Sequence, residues 1–310
     1  MLINGNKDFK RFIEEMEDEH REVFDYKALV DEFDLTVKDI TSLNRFFEDT
    51  NFKEINLKGL DTSRVVDMVA TFHNCTNLES VDLKSLDLSK VEFINCLFEG
   101  CSSLKEIDLS GINVNSLRSA DSVFKDCENL KNVNLSNINL PKLENMGLGA
   151  LFENCKSLTY VNLSNFCIPL VTYTYETFAG CKHLTQLDLS TFYAPKLRKV
   201  SRIFFDCLSL QVISLSEDLD IIRDVLESER PDVKIISGSV REYIDNYGIG
   251  SNINEAFRED IKNLFLEYNV SYSDLENVSK MMYEVVEDED YNLDKIDHSR
   301  STTFKTTSMF

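Results

Sequence analysis

The sequence predicts an α/β solenoid, a stack of short coils whose strands form one parallel sheet on the inner face, with a helical N-terminal cap and a helical C-terminal segment. Two observations support this fold class. One apolar pattern recurs at a 26-residue step over residues 46–216. In the flanking segments, apolar residues instead lie three or four positions apart, as they do in amphipathic helices.

The composition of the 310-residue chain is that of an acidic globular protein, with 43% hydrophobic residues and a net charge of -21. A field of this sign repels DNA, RNA and anionic lipid, so we expect no direct binding to nucleic acid or membranes. The same field favours encounter with a protein partner that has a basic surface. The N-terminal residues contain no apolar segment typical of a secretory signal, and no run of eighteen apolar residues occurs, which together predict a cytoplasmic location.

The repeat is defined by a short apolar strand pattern that occurs seven times, at steps of 26, 26, 26, 28, 26 and 26 residues. Its central residues are Ile55, Val81, Ile107, Val133, Val161, Leu187 and Ile213. An aromatic residue lies nine positions before each of them, beginning with Phe46. Each copy therefore predicts one strand, then a polar turn, then a helical or 3₁₀ segment that packs against the neighbouring coils.

Six of the eight cysteines lie on the same grid, six positions before the strand residue. They are Cys75, Cys101, Cys127, Cys155, Cys181 and Cys207. A ladder of buried thiols is the simplest interpretation, because free cysteine behaves as a small hydrophobic residue. No C-x-x-C pair occurs, and one cysteine in each coil cannot supply four zinc ligands, so we expect neither a metal nor a cofactor. Disulfides between adjacent rungs are sterically conceivable, but a reducing compartment argues against them.

The repeat can be compared with a known family. From Asn77 to Leu104 it has the form N-L-x-x-[VI]-D-L-S-x-[LIF]-D-x-S-x-[VL]-x-x-[MI]-x-x-x-F-x-x-C-x-x-L, with Lys84 in place of the first serine. This resembles the BspA-type leucine-rich repeats of bacterial and protist proteins, including relatives in mycoplasmas and lactobacilli. The resemblance implies a leucine-rich-repeat solenoid. It also implies an adhesin role, because many members are surface or secreted proteins that bind host or bacterial ligands.

The segment before the repeats, residues 1–45, is predicted as the helical N-terminal cap. Its first helix has one apolar face, and residues 26–33 form a second short helix. The residues that share the face are Phe9, Phe12, Ile13 and Met16. An exposed solenoid end needs such an element, apolar on one side and polar on the other, to prevent end-to-end stacking.

The segment after the repeats divides into three parts. Residues 217–238 are predicted as the C-terminal cap, with a helix from Asp218 to Glu229 and a strand from Val233 to Ser237. Residues 239–290 are predicted as a helical C-terminal domain. Residues 291–310 are polar and rich in serine and threonine, which predicts a disordered tail.

Motifs that would indicate catalysis are missing from the sequence. It contains no phosphate-binding loop, nucleophile elbow, zinc-protease or EF-hand pattern, and its four histidines are scattered. No cysteine follows Cys207, so the C-terminal segment lacks the thiol nucleophile that a ubiquitin-ligase domain would need. We therefore predict that the chain is not an enzyme.

Binding is expected on the strands, where side chains beside the central residue alternate outward. One outward column is polar in every coil, which indicates hydrogen bonding between rungs or a consensus surface. The column before it varies between coils, and the aromatic Tyr160 departs most from the template. The predicted contact residues are Tyr160, Tyr175, Asn134, Asn162, Asp188, Glu106 and Gln186.

Three functional hypotheses remain open. The leading one is an intracellular, non-enzymatic protein whose repeat surface and acidic flanks bind a protein partner. The alternative is an acidic inhibitor that blocks a basic nucleic-acid-binding protein, such as a phage-encoded anti-defence (anti-CRISPR-like) protein. The third is a surface adhesin of the BspA type.

Overall fold

The computed structural model describes residues 1–144, 147–216 and 218–236. The chain divides into two compact units, Met1–Tyr247 and Gly248–Phe310, and the first unit contains the whole repeat grid. The predicted helical domain and the predicted tail, residues 239–290 and 291–310, lie outside the described residues.

The N-terminal segment folds into three short strands and two helices. In order, these are β1 (Leu2–Asn4), α1 (Asn6–Asp18), β2 (Val23–Asp25), α2 (Tyr26–Phe33) and β3 (Thr36–Lys38). The four residues predicted to share a face of α1 are its buried residues, which confirms that helix. The second predicted helix is also confirmed, and the Asp25 carboxylate caps its start by accepting the Ala28 N–H at 2.9 Å.

The repeats and the C-terminal cap contain the remaining strands and one helix. They are β4 (Glu54–Asn56), β5 (Ser80–Asp82), β6 (Glu106–Asp108), β7 (Asn132–Asn134), β8 (Tyr160–Asn162), β9 (Tyr173–Tyr175), β10 (Gln186–Leu189), β11 (Lys199–Ser201), β12 (Val212–Leu215), α3 (Asp220–Glu229) and β13 (Lys234–Ile236). The predicted C-terminal helix and strand thus form as α3 and β13. Leu226 and Ile222 of α3 are buried, as a capping helix requires.

Within three groups of neighbouring coils, one strand of a coil pairs in parallel with the corresponding strand of the next. The hydrogen-bonded groups are β2-β4-β5, β6-β7-β8 and β10-β12-β13, which together we name the first sheet. Its central residues are the seven that the sequence predicts. The sheet extends one strand further at each end, because β2 pairs with β4 and β13 pairs with β12.

A second line of parallel pairs, which the sequence did not reveal, runs along another side of the coils. Isolated bridges join Ser42, Asp67, Phe93 and Ser119 in turn, and β9 pairs with β11 further along. We name this line the second sheet. It replaces the predicted helical or 3₁₀ segments: that prediction was wrong, since the described coil residues form turns there.

Left-handed residues explain why the coils cannot form helices. In the second coil, Ala70 has φ 53° and Asn74 has φ 56°, and residues at the same two positions of other coils also have positive φ. A right-handed helix cannot continue through such residues. The chain instead turns sharply after each strand.

The core contains one continuous stack of phenylalanine rings, with one ring from each coil and centroid distances of 5.1 to 5.9 Å. The stacked residues are Phe47, Phe72, Phe98, Phe124, Phe152, Phe178 and Phe204. The first is Phe47 rather than the predicted Phe46, whose ring packs edge-on against Phe9 at 5.8 Å. The reason is a shorter first coil: the second sheet advances only 25 residues, from Ser42 to Asp67.

The six cysteines on the grid form the predicted ladder of buried thiols. Each Sγ–H donates to the carbonyl of a stacked phenylalanine in the preceding coil, at 2.8 to 3.2 Å. In the first coil Thr50 takes the same place, and its hydroxyl donates to the Phe47 carbonyl at 2.8 Å. All eight cysteines are free thiols, and burial raises the pKa of Cys155 and Cys181 well above the ordinary value.

Candidate functional site

The variable column lies on the outward side of the first sheet. Parallel pairing places Glu106, Asn132 and Tyr160 side by side on β6, β7 and β8. Gln186 holds the same position on β10. Glu106 is exposed, and the other three are partly buried. The structure therefore aligns three of the predicted contact residues, and we name the four residues together the variable strip.

The neighbouring polar column serves the fold. The side-chain oxygens of Asn134, Asn162 and Asp188 each accept the backbone N–H two residues later, at 2.9 to 3.1 Å. The same bond forms in the three preceding coils, at Asn56, Asp82 and Asp108. It closes the turn that ends each strand. Asn162 is only 7% exposed, so its side chain offers little surface to a partner.

Tyr175 lies on the second sheet and not beside Tyr160. Its ring covers Gly149 so closely that a Cβ at Gly149 would lie 2.1 Å from the Tyr175 Cε1 atom. Gly149 in turn donates its N–H to the Asp121 carboxylate at 2.8 Å. Burial and the Asp121 charge both raise the pKa of Tyr175. Tyr160 and Tyr175 therefore lie on different sheets, since Tyr160 belongs to β8 and Tyr175 to β9.

A second aromatic residue, Tyr173, lies beside Tyr175, with ring centroids 6.0 Å apart. Lys199 of the next coil places its Nζ 4.9 Å from the Tyr173 centroid, within the range of a cation–π contact. No sequence pattern predicts this sheet. Asp67, Phe93 and Ser119 each lie twelve residues after their strand residue, but they share no side-chain type.

Ion pairs between neighbouring coils neutralise part of the acidic surface. Lys84 pairs with Asp108 at 2.6 Å, and Arg118 pairs with Glu92 at 2.9 Å. Similar pairs recur further along the repeats, for Lys125 with Glu153, Lys156 with Glu128 and Lys182 with Asp206. Exposed pairs of this kind each contribute little to stability, roughly 0 to 1 kcal/mol. Their effect here is to interleave positive charge with the carboxylates along the coils.

A second turn that follows the strands of the first sheet differs between the early and the late coils. In two early coils, Asp61 and Asp87 each accept an N–H from the serine two residues later at 3.0 Å. In the later coils, proline occupies that serine position, at Pro141, Pro169 and Pro195. Proline has no N–H to donate, so the turn cannot close in the same way. Bridges from Asn139 to Cys167 to Tyr193 join these later coils instead.

The single 28-residue step falls at the same place. The second sheet advances 28 residues from Ser119 to Gly147, and the bridges advance 28 residues from Asn139 to Cys167. The two extra residues therefore lie between Asn139 and Gly147. The structure thus has an early and a late type of coil, which meet near residue 139.

Two family descriptions divide the chain near this point. Residues 14–138 match "Mycoplasma protein of unknown function, DUF285". Residues 134–226 match "BspA type Leucine rich repeat region (6 copies)". The late coils are thus similar to the BspA-type leucine-rich repeats. The early coils carry the first signature and the late coils the second, in agreement with the change of turn.

Two solved structures are similar to part of this chain. A leucine-rich cell surface protein from Faecalibacterium prausnitzii is 23% identical, covering 57% of this chain and 44% of its own, with a TM-score of 0.41. A leucine-rich repeat protein from Bacteroides ovatus is 20% identical, covering 66% of this chain and 72% of its own, with a TM-score of 0.22. This chain thus spans less than half the length of the Faecalibacterium protein.

No curated protein matches this chain. Across residues 1–144, 147–216 and 218–236, no helix is long and apolar enough to span a membrane. Within the same ranges, no group of three or more His, Cys, Asp or Glu side chains is placed to hold a metal ion.

Proposed function

We propose that this chain is a non-enzymatic protein-binding module and that the variable strip, Glu106, Asn132, Tyr160 and Gln186, contacts the partner. The proposal rests on a difference between the two outward columns of the first sheet: one is constant and the other varies. The polar column closes the turns by the same hydrogen bond in coil after coil. The variable strip changes residue from coil to coil while its backbone pairing stays constant.

The chemistry of the strip fits a protein surface. Tyr160 supplies a large, partly buried aromatic side chain beside Asn132 of the paired strand, and the exposed carboxylate of Glu106 lies at one end. Gln186 supplies a second amide at the same position of β10. Aromatic residues surrounded by polar groups are enriched at protein–protein hot spots. The acidic net charge of -21 favours a partner with basic residues at the rim of the contact.

Site-specific photo-cross-linking tests the proposal. Benzoylphenylalanine is placed at position 160 in one protein and at position 175 in another, and each protein is irradiated in an extract of the source cell. We expect position 160 to cross-link one defined partner and position 175 to cross-link none. The reverse result would move the contact surface to the second sheet.

A substitution then measures the contribution of the aromatic side chain. Tyr160→Ser places at this position the residue that Ser80 supplies in the second coil, so the fold is expected to remain intact. Binding to the cross-linked partner should weaken at least tenfold, and the matched control Tyr193→Ser, on a 47% exposed aromatic outside the first sheet, should leave it unchanged. Equal binding by the two variants would remove the strip from the interface.

The match to BspA-type repeats also supports a location at the cell surface, where the same strip would serve an adhesin. This differs from the cytoplasmic expectation only in where the partner is found. Treating intact source cells with a protease that cannot enter them separates the two. Loss of the chain from these cells would place it outside, and full protection would place it inside.

A further inference from the structure

We propose a second interaction surface, at the C-terminal end of the repeats, that binds an apolar and basic peptide segment of a partner protein. The surface is a recess of about 440 Å³ between the last phenylalanine coil and α3. Phe205 and Leu208 lie on one side, Val225 and Glu229 of α3 lie on the other, and Arg230 also borders it. We name it the terminal recess.

The two apolar residues of the recess break the pattern of their own repeat. The Phe205 carbonyl accepts the Gly180 N–H at 2.7 Å, as the carbonyls of Glu99 and Glu153 accept N–H groups in earlier coils, so these positions are equivalent. Earlier coils carry His73, Glu99, Lys125, Glu153 and Ala179 where the last coil has Phe205. They carry Thr76, Ser102, Glu128, Lys156 and Lys182 where it has Leu208.

Both side chains remain in solvent. Phe205 is 56% exposed and Leu208 is 72% exposed, which makes them the most exposed large apolar residues in the described part of the repeats. Hydrogen bonds connect the two sides of the recess: the Arg230 guanidinium, just after α3, donates to the Cys207 carbonyl at 2.8 Å and to the Leu210 carbonyl at 3.2 Å. Adjacent exposed apolar residues next to a formed recess are typical of a binding site.

The charges around the recess select the partner. Arg230 forms a two-pronged ion pair with Asp232, and Arg202, which lies over the Phe205 ring at 4.0 Å, is paired with Glu176. Both nearby guanidiniums are thus neutralised. The sequence of α3 contains four carboxylates and one arginine, and all four carboxylates are exposed. These are Asp220, Asp224, Glu227 and Glu229. Glu229 lines the recess itself, and Asp220 is paired with Arg223 at 3.9 Å.

An apolar segment flanked by lysine or arginine complements this arrangement. Its apolar side chains would cover Phe205 and Leu208, and its cations would face the carboxylates of α3. A second copy of the chain is a weaker candidate, because it carries the same net charge of -21 and would be repelled. The recess therefore fits a short basic amphipathic peptide.

Peptide display tests the inference on the full chain. Random 12-residue peptides displayed on phage are selected against the protein, and the enriched peptides are synthesised with a fluorescent label. We expect enriched sequences to pair two apolar residues with flanking Lys or Arg. Enrichment of acidic or uncharged sequences would overturn the proposal.

Matched variants locate the binding. Phe205→Glu with Leu208→Ser introduces residues that earlier coils carry at these positions, and the added negative charge cannot repel a basic peptide. The affinity of the enriched peptides should fall at least tenfold, which corresponds to about 1.4 kcal/mol. Phe93→Ser, at an exposed aromatic of the second sheet, is the control and should change the affinity less than twofold. Unchanged binding by the double variant would refute the site.

Two further measurements exclude other occupants. Charge reversal at Glu227 and Glu229, to lysine, leaves the core untouched and should also weaken the peptide, even if the apolar double variant fails to fold. Sedimentation should show no self-association that depends on Phe205, since such a dimer would mean that a second copy fills the recess. Hydroxyl-radical footprinting should oxidise Phe205 and Leu208 in the peptide-free chain, because protection there would mean that the chain covers its own recess.

Discussion

The contact between Gly149 and Tyr175 provides the sharpest prediction, because adding a single methyl group at Gly149 should lower the stability of the fold. In Gly149→Ala the new Cβ would lie 2.1 Å from Cε1 and 2.4 Å from Cζ of Tyr175, far inside the ~3.5 Å of normal carbon contact. Either the ring or the backbone must move, and overpacking of this kind costs about 1–3 kcal/mol. The lower chain entropy of alanine in the unfolded state offsets about 0.4–1 kcal/mol of this. We expect a net loss of about 1–2 kcal/mol in the free energy of unfolding.

A second substitution should remove that loss. Tyr175→Ser introduces the residue that Ser201 supplies at the paired position of the next coil, and it leaves open space above Gly149. In that background Gly149→Ala should cost nothing, so the two changes should be non-additive by about 1–3 kcal/mol. Guanidinium titration of the four proteins measures this difference. Additive losses would refute the packing that places Tyr175 over Gly149.

A neighbouring glycine provides the control. A Cβ at Gly147 would lie 2.7 Å from Cδ1 of Leu143 rather than against Tyr175. Gly147→Ala should therefore lower stability, and Tyr175→Ser should not rescue it. The Tyr175→Ser protein has a further use: if the ring only fills space, its partner binding should equal that of the unaltered chain.

The ladders of the core support three more predictions. Phe124→Leu removes two stacked pairs and Phe204→Leu removes one, and each pair contributes about 0.5–1.5 kcal/mol. Urea titration should therefore show that Phe124→Leu lowers the free energy of unfolding by roughly twice as much as Phe204→Leu. Equal losses would contradict the stack. Cys127→Ser should destabilise the protein less than Cys127→Ala, because the serine hydroxyl can still donate to the Phe98 carbonyl. Burial raises the pKa of the Cys127 thiol, so this residue should stay unreactive towards iodoacetamide at pH 8. Burial also raises the pKa of the Asp121 carboxyl, so folding favours its protonated form, and ionisation costs stability once the pH exceeds the ordinary value near ~4. Asp121→Asn should therefore stabilise the protein at pH 7 and not at pH 3, and thermal unfolding at the two pH values will show whether the gain disappears.

The sequence predicted the first sheet accurately because that sheet is built by apolar residues at a constant step. Ile107 and Val133 lie on β6 and β7 in the expected register, and the helices α1, α2 and α3 form where their apolar spacing indicated. Burial of an apolar side chain is a strong and local requirement, so its period is visible in a single sequence. The phenylalanine stack and the thiol ladder follow from the same regularity.

The second sheet escaped notice because its residues share no side-chain type. Asp67, Phe93, Ser119, Gly147 and Tyr173 hold equivalent positions, and only backbone hydrogen bonds unite them. Such pairing places little demand on the side chain, and apolar periodicity cannot detect it. The expectation of a helical segment failed because the left-handed position of Ala70 and Cys96 has no sequence signature. The second left-handed position did have one, since Asp, Asn or Gly occupies it in every coil from Asp49 to Asp206.

The predicted contact residues fall into two groups, those that close turns in the fold and those that vary between coils. Asn134, Asn162 and Asp188 repeat a hydrogen bond that the three preceding coils also make, and a recurring residue of this kind carries no information about a partner. Glu106, Tyr160 and Gln186 vary, and the structure aligns them. Sequence alone could separate constant from variable positions, but it could not reveal that Tyr175 belongs to another sheet.

A departure from the repeat template is therefore not by itself a sign of recognition. Tyr175 departs from its template, yet Gly149 in the neighbouring coil departs with it, and the two changes fit each other within the fold. Phe205 and Leu208 depart with no such match, because no further phenylalanine coil follows in residues 218–236 and α3 leaves both side chains exposed. A solenoid is stabilised by contacts between adjacent coils, so an uncompensated departure adds nothing to its own stability. By this criterion the terminal recess is a better candidate for partner binding than Tyr175. Substitution of Phe205 should weaken binding and leave the stability of the fold unchanged, whereas substitution of Tyr175 should change stability and leave binding unchanged.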